Sequence, residues 1–122
     1  MTTTELTPAE MADRTGVSID TLRYYEREGL LSDVRRAPSG HRRYHLEDVL
    51  WVQVLRCLRE TGMSIDQLRH YCDLGAQGDP TIAERRRMLL DHRNGVVAKV
   101  AELEAALALI DEKLTHYEGN DE

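Results

Sequence analysis

Where helices must start and stop constrains this chain more tightly than any other feature of its sequence. Thr7-Pro-Ala-Glu10 has the form of a capping box with proline at the first helical position, and Leu6 and Met11 stand where a hydrophobic staple closes it. Gly16 ends that helix. Ser18 caps the next, with Val17 and Leu22 in the staple positions and Gly29 past its end. Two short helices joined by a glycine turn predict a helix-turn-helix, whose second member is placed to read a DNA groove.

From Leu31 to Tyr44 the helical period disappears, and Pro38, Ser39 and Gly40 make a turn, which predicts a short two-stranded wing. His45-Leu-Glu-Asp48 opens a third helix through Thr61, nearly all apolar from Val49 to Leu58, and Gly62 breaks it. Ser64-Ile-Asp-Gln67 is a second capping box, stapled by Met63 and Leu68, for a fourth helix running to about Leu74. In the last segment Ile82, Leu89, Val96, Leu103, Ile110 and Tyr117 recur at heptad spacing, and Val100, Leu107 and Leu114 interleave with them. Arg86 and Arg93 hold the earlier positions of that second set, so the seam is clean only in its second half. Asn94-Gly95 is a candidate break, yet the register carries from Leu89 to Val96, which favours one continuous helix. Such a seam needs a partner, and a second copy of the chain is the economical one. The expected interface is Leu89, Val96, Val100, Leu103, Leu107, Ile110, Leu114 and Tyr117. The expected fold is therefore mainly α: a head over residues 1–75 with a β-wing, a linker over 76–80, a long helix over 81–117 and a tail over 118–122.

The formal charge of −6 at first argues against nucleic acid, but its distribution reverses that. Between Arg14 and Arg43 there are seven arginines against four acids, and the excess of acid lies elsewhere. The second helix carries Ser18, Thr21, Arg23, Tyr24 and Tyr25, and the wing carries His41, Arg42 and Arg43. A capped helix start holds phosphate on its free amides, Arg offers a bidentate fork to phosphate or guanine, and Tyr a hydroxyl on a stiff ring. One of the two tyrosines is expected in the core, and Tyr24 is the choice at this stage. A scaffold protein built on the coiled coil, with a head that reads no DNA, is the rival from another class; Arg23 and Arg42 together argue against it. An aromatic fraction of 5% with no Phe leaves little for a large ligand cavity. The sequence has no apolar run for a membrane span and no leader, and its two cysteines suit a reducing cytoplasm, so a cytoplasmic, nucleoid-associated protein is expected.

Thr21-Leu-Arg-Tyr-Tyr-Glu-Arg-Glu-Gly-Leu-Leu31, Gly40-His-Arg-Arg-Tyr44 and Gly62-Met-Ser-Ile65 together resemble the signature of the MerR family of transcription regulators. The resemblance spans essentially the whole chain. It implies a winged helix-turn-helix, two further helices and a long helix pairing antiparallel in a homodimer, with no enzymatic activity. It also implies a mechanism: the dimer sits on an over-long promoter spacer and distorts it so that RNA polymerase engages both flanking elements. Carried over, the family's DNA contacts fall on Arg23, Tyr25 and Arg42, with Thr21 and Arg43 beside them. His41 and Asp20 depart from the pattern, standing where Tyr and a basic residue are usual.

The resemblance also narrows the signal. Metal-sensing relatives carry cysteines at and beyond the start of the long helix, and here none follows Cys72; iron–sulfur members need four cysteines, and only two exist. No metal or other cofactor is expected. Leu55-Arg-Cys-Leu-Arg-Glu-Thr-Gly-Met-Ser64 resembles the thiol- and aldehyde-responsive branch typified by AdhR and NmlR, which makes Cys57 the sensor candidate for aldehyde, electrophile or nitrosative stress. Cys72 lies outside that string and is expected to be structural; one alternative stays open, with Cys57 as a small core residue and a non-covalent effector or protein partner as input.

Overall fold

In the computed structural model, residues 5–31, 35–36, 38–40 and 42–119 are described, Arg35 and Arg36 by their backbone alone. The chain divides into two units, Met1–Ile82 and Ala83–Glu122. The first is built from helices whose starts are set by their own side chains. Helix α1 spans Pro8–Thr15: Glu10 N donates to Thr7 Oγ1, and Glu10 Oε1 accepts from Thr7 N at 3.0 Å. Hydrogen bonding from the Thr7 backbone N–H, and then from the Thr7 side chain, holds the Glu10 carboxyl below its usual range. Gly16 closes α1 in the left-handed region at φ 74°, its N–H returning to Ala12 O. Helix α2 spans Ile19–Arg27 from the Ser18 cap. Helix α4, Ile65–Ala76, opens on the Ser64–Gln67 box with both reciprocal bonds made.

The wing holds one strand more than its sequence predicts. Strands β2 (Arg35–Arg36) and β3 (Arg42–His45) pair antiparallel, with Arg36 opposite Arg42. Strand β1 (Glu5–Leu6) joins the other side of β3, Leu6 opposite Tyr44, giving the order β1-β3-β2. This pairing explains why helix α3 starts later than expected, at Asp48 rather than His45, and runs to Glu60. His45 is still paired with Glu5, and its N–H donates to Asp48 Oδ2 at 3.0 Å, so the Asp48 carboxylate meets the end of the strand.

The core of the head draws on helices α1 to α4 and on strands β1 and β3, with Leu6, Met11, Leu22, Leu30, Tyr44, Val52, Leu55 and Leu68 all buried. The expected linker is mostly helical. Gly75 does not stop α4, which continues to Ala76; Gly78, at φ 79°, supplies the turn instead. A 3-10 turn follows over Asp79–Thr81, and the buried Thr81 hydroxyl bonds Leu74 O at 2.6 Å.

The last helix, α5, runs unbroken from Ile82 to Gly119, through Asn94-Gly95. A single helical glycine costs about 1 kcal/mol relative to alanine, too little to break a helix of this length. No side chain on α5 is buried. None of the described helices is long and apolar enough to cross a membrane.

Candidate nucleic-acid interface

Helix α2 begins with its cap turned toward its own first turn. Ser18 Oγ accepts from Thr21 N at 3.1 Å and donates to Thr21 Oγ1 at 2.9 Å, so the two hydroxyls form one unit. The amides of Ile19 and Asp20 precede any intrahelical partner, as the geometry of a helix start requires. Two positions beyond Thr21, Arg23 is exposed and makes no hydrogen bond or ion pair among the described residues. Such a guanidinium is ready for an external acceptor.

The tyrosines are placed opposite to expectation. Tyr25 is buried, 4% exposed, whereas Tyr24 is half-buried with the Arg27 guanidinium 6.0 Å from its ring centre. The reason is helical spacing: Leu22 is fully buried, and the residue three positions on shares its face. That signal was present in the sequence. Burial, reinforced by Glu60, pushes the Tyr25 phenol above its usual range. Tyr25 thus anchors α2, and Tyr24 is the tyrosine left facing outward.

The wing is tied to α2 by charge. Arg42 Nε donates to Glu26 Oε2 at 2.6 Å, with both side chains about three-quarters covered. Arg43 turns back on the wing, its Nη1 donating to Arg42 O at 3.0 Å. Beside them Tyr44 is 1% exposed, and its hydroxyl finds no partner among the described residues. Burial raises its pKa, and Glu26 adds to this against the opposing pull of Arg42 and Arg23. Glu26 went unremarked in the sequence because an acid in a basic helix reads as solvated surface. His41 lies outside the described residues.

Helices α3 and α4 hold the far end of α2. Trp51 Nε1 donates to Leu30 O at 3.0 Å while its ring stacks on Tyr71, centres 5.8 Å apart. Arg69 bonds Glu28 O at 3.3 Å and pairs with the carboxylates of Glu28 and Asp66. The two cysteines differ sharply. Cys57 is exposed in the single chain, because the buried face of α3 is Val52, Leu55 and Leu58 and Cys57 falls outside it. Apolar residues on nearly every side of α3 hid that face from the sequence. Cys72 is partly covered, donates to Leu30 O at 3.8 Å, and has its thiol pushed up to about 11, chiefly by burial.

A capped helix carrying an arginine unpaired among the described residues, braced by a β-wing rich in arginine, defines a winged helix-turn-helix DNA-binding protein. The sequence matches the family described as MerR HTH family regulatory protein over residues 6–74, and the one described as MerR, DNA binding over residues 49–113. The chain belongs to the MerR family of transcription regulators, and it is not an enzyme. It is 38% identical over 112 residues to an uncharacterized HTH-type transcriptional regulator of Haemophilus influenzae, covering 92% of this chain and 83% of that one. It is 40% identical over 89 residues to the HTH-type transcriptional regulator AdhR of Bacillus subtilis, covering 73% of this chain and 64% of AdhR. Its fold is similar to that of HiNmlR, a MerR family regulator lacking the sensor domain, in its crystal structure bound to promoter DNA. The TM-score is 0.85 at 37% identity, covering 93% of this chain and 90% of HiNmlR. These likenesses agree with the AdhR- and NmlR-like branch.

Proposed function

We propose that this regulator binds an over-long promoter spacer as a homodimer, distorts it to control transcription by RNA polymerase, and receives an electrophile at Cys57. Ser18, Thr21, Arg23 and Tyr24 of α2 and His41, Arg42 and Arg43 of the wing form the proposed DNA contacts; Tyr25, being core, supports them from behind. The likeness to HiNmlR on promoter DNA supports the target. The seam of α5, wholly exposed from Val100 to Tyr117, supports the dimer. Two heads held on one rod can store strain in the duplex between half-sites, at a cost on the order of a few kcal/mol.

The observation that carries the signal is the exposure of Cys57 on a helix whose opposite face is the core of the head. A thiolate there adds to an aldehyde carbonyl: the S–C bond forms, the π pair moves to oxygen, and a proton from water completes the hemithioacetal. The adduct enlarges a side chain on the helix that braces α2.

The test is transcription in vitro from the promoter upstream of the chain's own gene, with formaldehyde, methylglyoxal and a nitrosothiol, on wild type and Cys57→Ser. A response in wild type that the variant lacks is the expected result. Equal responses in both would move the input to a non-covalent effector or a protein partner.

A further inference from the structure

The turn that sets α2 apart from α1 is touched by a side chain from α3. Arg56 Nη1 donates to Thr15 O at 3.1 Å, one of the carbonyls that the end of α1 leaves unpaired. Its Nε donates to Glu60 Oε1 at 3.0 Å, one helical turn along α3, which fixes the direction of the guanidinium. Nη1 also lies against Gly16. A Cβ there would fall well inside contact distance of Arg56 Nη1. Gly16 is favoured for its left-handed φ, and a methyl added there would also push the guanidinium out of the place it holds. Tyr25, the buried anchor of α2, has Glu60, Arg59 and Arg56 in its electrostatic surroundings.

An exposed ion pair four residues apart on a helix contributes little by itself. Arg56 does more than pair: it spans from α3 to the residue before the turn and packs on the turn's glycine. We propose that Arg56 is a positioning residue for DNA recognition, fixing the α1–α2 turn, and hence the pose of α2, without touching DNA. The proposal rests on α2 being the helix that reads the operator. A bidentate contact from Arg23 to a base edge tolerates misplacement of only about 0.5 Å, so a loosened turn costs selectivity before it costs folding.

The test uses the full-length protein and a duplex selected by wild type from a random-sequence pool, against a scrambled duplex of the same composition. Affinities for both are measured over a range of salt, with the melting temperature of each variant. Arg56→Ala is expected to lower the ratio of selected to scrambled affinity about tenfold, with the slope of log K against log salt unchanged because no phosphate contact is lost. Gly16→Ala is expected to lower the ratio as well, because its methyl displaces the guanidinium. In the Arg56→Ala background it should cost clearly less, since the contact is already gone. Strictly additive losses, or an unchanged ratio in Arg56→Ala, would overturn the proposal. So would a slope reduced by about one with both affinities falling alike, which marks a direct phosphate contact. A lowered melting temperature with the ratio intact would leave Arg56 a purely structural residue and reject the role. Arg23→Ala in the same assay separates the underlying reading: an unchanged ratio there removes α2 as the reading helix, and the proposal with it.

Discussion

Glu26 and Arg42 lie sixteen residues apart and join the two segments that carry the proposed DNA contacts. Because Arg42 gives its Nε to Glu26, any grip on phosphate is left to its two terminal nitrogens. Glu26→Gln should free the guanidinium, steepening the salt dependence of DNA binding by about one unit of slope while lowering selectivity for the operator. An unchanged slope in a salt titration would mean that Arg42 already grips phosphate with the pair intact. The cysteines make a second case at this scale. A thiol whose pKa is raised to about 11 is almost wholly protonated near neutral pH, so a maleimide should label Cys57 quickly and Cys72 only on unfolding. Cys57→Ser should leave almost no rapid labelling, and one full rapid equivalent in that variant would refute the difference. Cys72, Tyr25 and Tyr44 are all shifted upward, so the fold prefers their neutral forms. Their contribution is fully present below the unfolded values and is lost as pH rises. For Cys72 the window lies between about 9 and 11, and Cys72→Ala should flatten urea midpoints across it. Which cysteine is exposed could not be read from the sequence, since α3 is apolar almost all round and its buried face is chosen by what packs on it.

The helices begin where hydroxyl and carboxamide side chains dictate, and this part of the fold was legible because capping is a contact within three residues. Thr7, Ser18 and Ser64 all cap as the spacing predicts. What was not legible is non-local. Strand β1 has two residues and exists only because Tyr44 and His45 lie beside it, and that pairing delays the start of α3. The fourth helix was expected to end near Leu74, yet it runs to Ala76, after which Gly78 takes the turn at positive φ and Thr81 closes it. Two caps of the same chemistry should separate folding from recognition. Ser64→Ala, far from the proposed contacts, should cost about 1 kcal/mol of stability and leave operator affinity per folded molecule unchanged. Ser18→Ala should cost a similar amount and also weaken operator binding, because the cap that orders Thr21 and the first turn of α2 is lost. Chemical denaturation and anisotropy titrations on both variants make the comparison; equal loss of affinity in both would mean that the Ser18 effect is stability alone.

At the scale of the molecule, a 38-residue helix without one buried side chain carries an apolar seam it cannot satisfy alone. Leu103, Leu107, Ile110, Leu114 and Tyr117 each leave more than half of their surface in water, at the interleaved spacing of a coiled coil. Most helical stability comes from packing an apolar face rather than from intrinsic propensity, so the length of α5 itself argues for a covered seam. In the proposed homodimer a second copy would supply an identical seam, and it would bring a second head to the duplex without asking more of either interface. Linking two weak half-site contacts in this way can raise overall affinity by about 10²–10⁴. Leu103→Asp puts a charge on the seam at a residue 59% exposed in the single chain, so it should disturb the protomer's own core little. It is expected to give monomers by sedimentation, to fray α5 as a loss of helical circular dichroism, and to weaken binding to a two-half-site operator by about that factor. Binding to an isolated half-site should survive, because the head's packing does not involve Leu103. A variant that still sediments as a dimer would show that copies meet elsewhere. A monomer that binds the full operator as tightly as wild type would show that the two heads do not act together, and would remove the basis for straining DNA between them.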